Sequence, residues 1–337
     1  QGNDIATAAS VFIVTPRSVS ELRFVAALYD VTIDVTGGSF VEAMAPLASI
    51  PAIAAAVVVR GNGKAVQTDV TLTGLIIAIA GSSTIHVRGF SSPVSRSEES
   101  TAIPSLAMGV CVLGGGETTA NSFSASLNGI DMSVTSGSVV LAEGASVYAA
   151  GGAVHTQYIR SGVGLNATDL TLRISDDANV TAFSYDPFDD PQAVAGAWVV
   201  SSRANSYNLP VRLHGVTLLV ANRAVVMCAV SAMRRPNVAW CDSVSLVYLN
   251  SRGATATVED VFISLDNAAT VSAFMNNSVF GRSTVAAVVL DASSSGGIRD
   301  QSQFDIANVT LAATRGSIMR ALAMTQCDAF VLAVVLW

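Results

Sequence analysis

Apolar residues recur at every second position along much of this chain, and in seven places the alternation slips at the same point of a shared phrase. The phrases are AALYDVTIDV (26–35), VTLTGLIIAI (70–79), ASLNGIDMSV (125–134), LNATDLTLRI (165–174), VRLHGVTLLV (211–220), ATVEDVFISL (256–265) and FDIANVTLAA (304–313). Period-two alternation predicts a strand with one buried face. The third position is always apolar, from Leu28 to Ile306, and the sixth and eighth are aliphatic or Met. The fifth position holds Asp30, Gly74, Gly129, Asp169, Gly215, Asp260 and Asn308. Gly, Asp and Asn enter a left-handed backbone at least cost. A column confined to them predicts a corner, where the strand turns while both arms keep their apolar side chains inward. Seven such corners make an internal repeat.

The phrases begin 44, 55, 40, 46, 45 and 48 residues apart. Each is followed, after a short turn, by a second strand-like piece such as SFVEA (39–43) or AVVMCAV (224–230). A third piece comes next, such as IAAAVVV (53–59) or SVSLVYL (243–249). Length varies only in Gly/Ser/Pro/Asp-rich segments such as 88–105, 184–192 and 291–303, which read as exposed loops. No helical period is sustained. Three strands per repeat, like residue over like, predict an all-β fold: a parallel β-helix of about seven repeats near 45 residues, with 1–337 as a single solenoid. Rungs would lie about 4.8 Å apart, and the continuous apolar strands suit parallel sheets. The spacing leaves open one large rung or two smaller ones per repeat. A seven-bladed β-propeller is the alternative, because seven repeats near 45 residues also fit that fold. Three strands per repeat rather than four, and the absence of a Gly-His…Trp-Asp signature, weigh against it.

Composition narrows the function classes. Charged residues make up 13% of the chain, against about 25% in an average domain. Mean hydropathy is +0.52, yet a membrane-spanning helix needs about 20 apolar residues, and the run at 50–59 stops at Arg60. The apolar runs are also too continuous for membrane-barrel strands. The net charge of −7, with a single lysine (Lys64) and no basic stripe, argues against nucleic-acid binding. The chain starts with Gln, and no signal peptide is expected within it. Both ends lie in strand phase without the polar cap a solenoid needs, so the expectation is a segment excised from a longer chain.

Candidate chemistry is sparse. Acidic pairs matter because β-helices host polysaccharide lyases and hydrolases, and glycoside hydrolysis needs two carboxylates at a fixed separation. Asp176-Asp177 and Asp189-Asp190 are such pairs, but both read as solvated turns. His86, His155 and His214 have no Cys, Glu or second His beside them in sequence, so a zinc site is not expected. Cys241-Asp242 and Cys327-Asp328 share a phase but lie two repeats apart, too far for a disulfide. Cys111 and Cys228 read as small core residues. GGGETTA (114–120) lacks the ending of a phosphate loop and reads as a connector. Sequons occur at Asn166, Asn179, Asn276 and Asn308, and the candidate glycosylation acceptors are Asn179, Asn276 and Asn166. At Asn308 a glycan would compete with corner stacking. No catalytic residue, cofactor or metal is expected.

The assembled repeat resembles the large, repetitive, membrane-associated surface proteins of kinetoplastid protists, of the dispersed gene family type. The resemblance is carried by phrases such as FDIANVTLAA, GLNATDLTLRI and STVAAVVLDASS. It implies an ectodomain portion of a long chain, anchored by segments elsewhere, with surface display and adhesion to carbohydrate, matrix or cell-surface protein. It supplies no catalytic residues. The expected function is therefore a non-catalytic structural and adhesion module, a rigid β-helical stalk with variable loops. The alternative is a carbohydrate-active enzyme on the same helix, which would gather acidic and basic side chains from neighbouring rungs into one cleft.

Overall fold

The computed structural model describes residues 6–8, 11–14, 23–45, 52–60, 67–89, 105–115, 121–144, 146–157, 159–185, 192–203, 210–231, 239–250, 255–276, 281–291, 303–324 and 327–336. All strand pairing in them is parallel, in three sheets. The fold is a right-through stack of coils, a parallel β-helix of about seven turns, which excludes the propeller. One repeat makes one coil: Val211–Val220 pairs with the phrase one repeat below and the phrase one repeat above, and with nothing nearer in sequence.

In the fifth coil, Val211–Val220 lies in the first sheet. A turn at 221–224 leads to Val225–Ser231 in the second sheet. Ala239–Ser243 and Leu246–Asn250, the two arms of one bent strand, lie in the third. The burial of Val211, Leu213, Val216, Leu218 and Val220 against exposed Arg212 and His214 shows how the phrase is built. Alternation holds on each arm, and Gly215 absorbs the slip between them. Each large apolar side chain taken out of water contributes about 1.5–3 kcal/mol. The interior stack runs the length of the helix, from Phe24 to Leu290, all buried.

Three left-handed columns turn the chain. The first is the phrase corner: Asp30, Asp169, Asp260 and Asn308 have φ near +55°, and Gly74, Gly129 and Gly215 lie between +61° and +69°. The second is the turn between the first and second sheets, where two consecutive residues have positive φ, as at Asn222-Arg223 and Asn267-Ala268. The third is a bend inside the third sheet, at Met108, Ala150, Gly196, Val244, Ala286 and Leu332, with φ from +47° to +64°. Sequence reading did not foresee this bend. In the first column the side chains of Asp30, Asp169 and Asp260 face solvent, so only short polar residues or Gly are accepted. In the third, Met108, Ala150, Val244 and Ala286 point into the core, so the column is apolar and carries no turn signature. A β-branched residue at positive φ is an outlier. At Val244 the bend is held by its N–H donating to Ala195 O at 2.9 Å and by near-complete burial of the side chain.

The sheets differ in what they show to water. The first two alternate buried and outward residues. The third is buried on both faces: a second apolar cluster containing Ile53, Leu106, Tyr148, Val194, Val199 and Val247 lines its outer side. The segments that join this sheet to its neighbours, the variable loops 90–104, 186–191, 204–209, 232–238 and 292–302 among them, lie outside the described residues.

Candidate functional site

Among the described residues charged side chains from adjacent coils meet at several points, and three of these are taken in turn. The most enclosed is on the outer side of the third sheet, in the fifth and sixth coils. Register places Trp240 beside Arg282 and Asp242 beside Thr284. Arg282 Nη2 lies 3.5 Å from Asp242 Oδ2, Thr284 Oγ1 donates to Asp242 Oδ1, and the guanidinium sits 5.5 Å from the Trp240 ring centroid. Arg282 is 0% and Asp242 2% exposed. A buried charge is tolerated only when paired and hydrogen-bonded, and here the pair lies across two coils. Arg at this position also stacks on an aromatic face, which Lys would do less well. The carboxylate is already engaged twice and is closed off from solvent. That arrangement locks one coil to the next.

The second cluster is on the outer face of the second sheet. His86 Nδ1 lies 3.1 Å from Glu42 Oε1 and His86 Nε2 lies 3.2 Å from Glu143 Oε2. Arg88 flanks Glu143 at 4.0 Å. The imidazole therefore spans three coils. No sequence signal revealed this trio, because its members are 44 and 57 residues apart and only the register brings them together. His214, in the first sheet, lies 3.2 Å from Asp260 and 3.9 Å from Glu259 on the coil above. Among the described residues no group of three or more His, Cys, Asp or Glu is arranged to hold a metal ion.

The third is a ladder along the turn between the first and second sheets. Asn222 Nδ2 donates to Asp176 Oδ1 at 2.8 Å, and Asn267 Nδ2 donates to Asn222 Oδ1 at 2.7 Å. Arg223 grips Asp177 with two bonds of 2.7 and 2.6 Å. Hydrogen bonding from Arg223 holds the Asp177 carboxyl below its ordinary value of 3.8. Asp266 is lowered as well, first by its bond from Thr314 and less by Arg315. Asp176-Asp177 is thus an exposed turn pair whose members each serve a different neighbour. Asp189-Asp190 lies outside the described residues.

Other residues singled out in the sequence fall as follows. Asn166, Asn179, Asn276 and Asn308 are all exposed. Asn179 Oδ1 accepts from Thr181 Oγ1 of its own sequon at 3.1 Å, and Asn308 Nδ2 donates to Asp260 Oδ1 at 2.9 Å. Gly114 and Gly115 end a strand, Ser105–Gly115, instead of opening a connector. A β-carbon on Gly114 would strike the Phe123 ring; residues 116–120 lie outside the described residues. His155 lies in the strand Ser146–Gln157.

The cysteines require two corrections. Cys241 is in register with Ser283 and Ala329, whereas Cys327 is in register with Gly281 and Ala239, so the two do not share a phase. The Cys-Asp dipeptides match by eye, but the strand bend lies three residues after Cys241 and five after Cys327. Cys228 is buried in the core, as its strand position implies, but it forms a disulfide with Cys241, their Cα atoms 5.8 Å apart. The bond joins the second and third sheets within one coil. Cys111 is a buried free thiol, pushed up to about 12 by burial, against a weaker lowering by Arg60.

Against models of known families, curated proteins and solved structures, the chain finds no match.

Proposed function

We propose that this chain is a non-catalytic β-helical rod, a stalk-like module of a surface-displayed protein whose loops engage carbohydrate, matrix or cell-surface protein. The observation that carries the reading is how its charges are used. Arg282 and Asp242 neutralise each other out of solvent, and Arg223, His86 and Arg173 each reach a carboxylate on a neighbouring coil. Charges spent pairwise along the axis stiffen a rod; an enzyme on this fold needs carboxylates open to a sugar ring. The Cys228–Cys241 disulfide is consistent with a compartment outside the reducing cytosol. The resemblance of the repeat to kinetoplastid surface proteins and the exposed sequons point the same way.

The test is a panel of anionic and neutral polysaccharides, assayed for new reducing ends and unsaturated products, run beside binding of the same panel to immobilised protein. Binding without turnover is the expected result. Turnover of any member of the panel would replace the stalk with the enzyme.

A further inference from the structure

The outer face of the second sheet reads nearly the same from either end of the helix. Its middle column runs from Glu42 in the first coil through His86, Leu141, Thr181, Met227 and Ser272 to Arg320 in the seventh. Thr181, in the fourth coil, is its midpoint. Reversed, the column sets Glu42 against Arg320 and Leu141 against Met227. The column beside it sets Phe40 against Ile318, Thr84 against Thr270 and Val139 against Val225, with Asn179 at the centre. The third sets Met44 against Leu322 and Arg88 against Phe274, around Phe183. Two positions meet unlike residues, Glu143 against Ala229 and His86 against Ser272, and Glu143 and His86 are bonded to each other within the chain.

We infer that this face is the interface of a homodimer, two rods packed antiparallel about a two-fold axis that runs along the strand through Thr181. A two-fold contact must be self-complementary, and the reversed columns satisfy that with apolar on apolar, Thr on Thr, acid on base and guanidinium on aromatic ring. The occupant is a second copy of this chain because the reversed pattern is the chain's own. In the reversed copy Arg320, between Ile318 and Leu322, would come opposite Glu42, whose carboxylate also bonds His86 in its own chain. Phe40 and Leu322 are 65% and 51% exposed, and Met227 at mid-face 38%, which leaves their apolar surface to be covered. Seven strands at about 4.8 Å and six residues at about 3.3 Å give a face of roughly 700 Å² per copy. Two copies would bury roughly 1,300 Å², within the range of specific interfaces.

The test is sedimentation equilibrium of the whole chain with three variants. The wild type should reach twice 34.6 kDa at concentrations on the order of micromolar and stop there. Thr181→Arg, which sets two like charges against each other at the axis, should weaken dimerisation by about 100-fold or more while its far-ultraviolet circular dichroism still reports the folded β-helix. Glu42→Arg and Arg320→Glu should each weaken it about tenfold, and the double exchange should restore it. A wild type that stays at 34.6 kDa up to about 100 µM overturns the proposal. So does a dimer that survives Thr181→Arg, or mass that grows with concentration past the dimer and so reports contact through the ends of the rod.

Discussion

The Oδ1 atom of Asp169 lies 2.8 Å from the place a β-carbon on Gly215 would occupy, one coil above. The same relation joins Asp30 to Gly74, at 2.5 Å. At these two steps an Asp leans over its neighbour, and the neighbour is Gly; at Asp260 the neighbour is Asn308, which donates to the carboxylate instead. Gly215→Ala should cost about 1–2 kcal/mol for the left-handed backbone, with an added cost for displacing the Asp169 side chain. Combining it with Asp169→Gly should recover the second part only. Urea unfolding of the two single variants and the double closes that cycle, and strict additivity would refute the contact.

The bend of the third sheet makes the opposite demand. Ala286 occupies it at φ +50°, fully buried, and Ala287 beside it is equally buried without positive φ. Removing either methyl forfeits about 0.8 kcal/mol of burial. At Ala286 that loss is offset by relief of the left-handed backbone, about 1 kcal/mol. At Ala287 nothing offsets it, and glycine adds backbone freedom to the unfolded chain. Ala286→Gly should thus be close to neutral and Ala287→Gly destabilising by at least about 1 kcal/mol more. Equal melting temperatures for the two variants would show that the bend stores no strain.

These two columns explain what the sequence could and could not reveal. The outward corner is legible because solvent exposure and positive φ together admit only Gly, Asp and Asn. The inward bend has the same backbone but a buried Cβ, so Met108, Val244 and Ala286 look like ordinary strand residues. The repeat, the three strands and the parallel stacking followed from period alone. Side-chain partners did not, because Glu42, His86 and Glu143 meet only once the register is known. The Cys228–Cys241 bond was hidden for a related reason: it joins strands of two sheets whose sequence separation no repeat fixes.

Asp242 and Arg282 should be costly to separate. Asp242→Asn or Arg282→Met alone leaves the other charge buried without its counter-ion, at about 3–5 kcal/mol. The combined Asp242→Leu, Arg282→Met, Thr284→Val chain removes the charges and the hydroxyl together and should be more stable than either single variant. Chemical denaturation of the set decides it. A triple variant less stable than both singles would mean that the pair makes a net contribution greater than its desolvation cost.

The disulfide should matter through the unfolded chain. Its cysteines are 13 residues apart, and closing a loop of that size stabilises by about 3 kcal/mol. Cys228→Ala with Cys241→Ala should lower the denaturant midpoint accordingly, and reductant should shift the wild type but not the variant. Cys111, buried with its thiol at about 12, should resist alkylation near pH 8 in the folded protein and react once it is unfolded. Mass mapping of modified cysteines reads both effects.

Acid should loosen the rod through the turn ladder. Asp177 is held below 3.8 by Arg223, and Asp266 by Thr314, Asn267 and Arg315. A carboxyl whose folded value is depressed contributes stability above its unfolded value and loses it as pH falls through the folded one. Between about pH 5 and the lowered folded values, the wild type should therefore lose stability as these groups take up protons. Asp177→Asn with Asp266→Asn removes both titrations, so its unfolding midpoint should change less across that window, while lying below the wild type at pH 7. Because Arg223 and Asp177 are exposed, high salt should shrink the difference. Parallel pH profiles for the wild type and the double variant would show that the turn ladder does not carry the acid sensitivity.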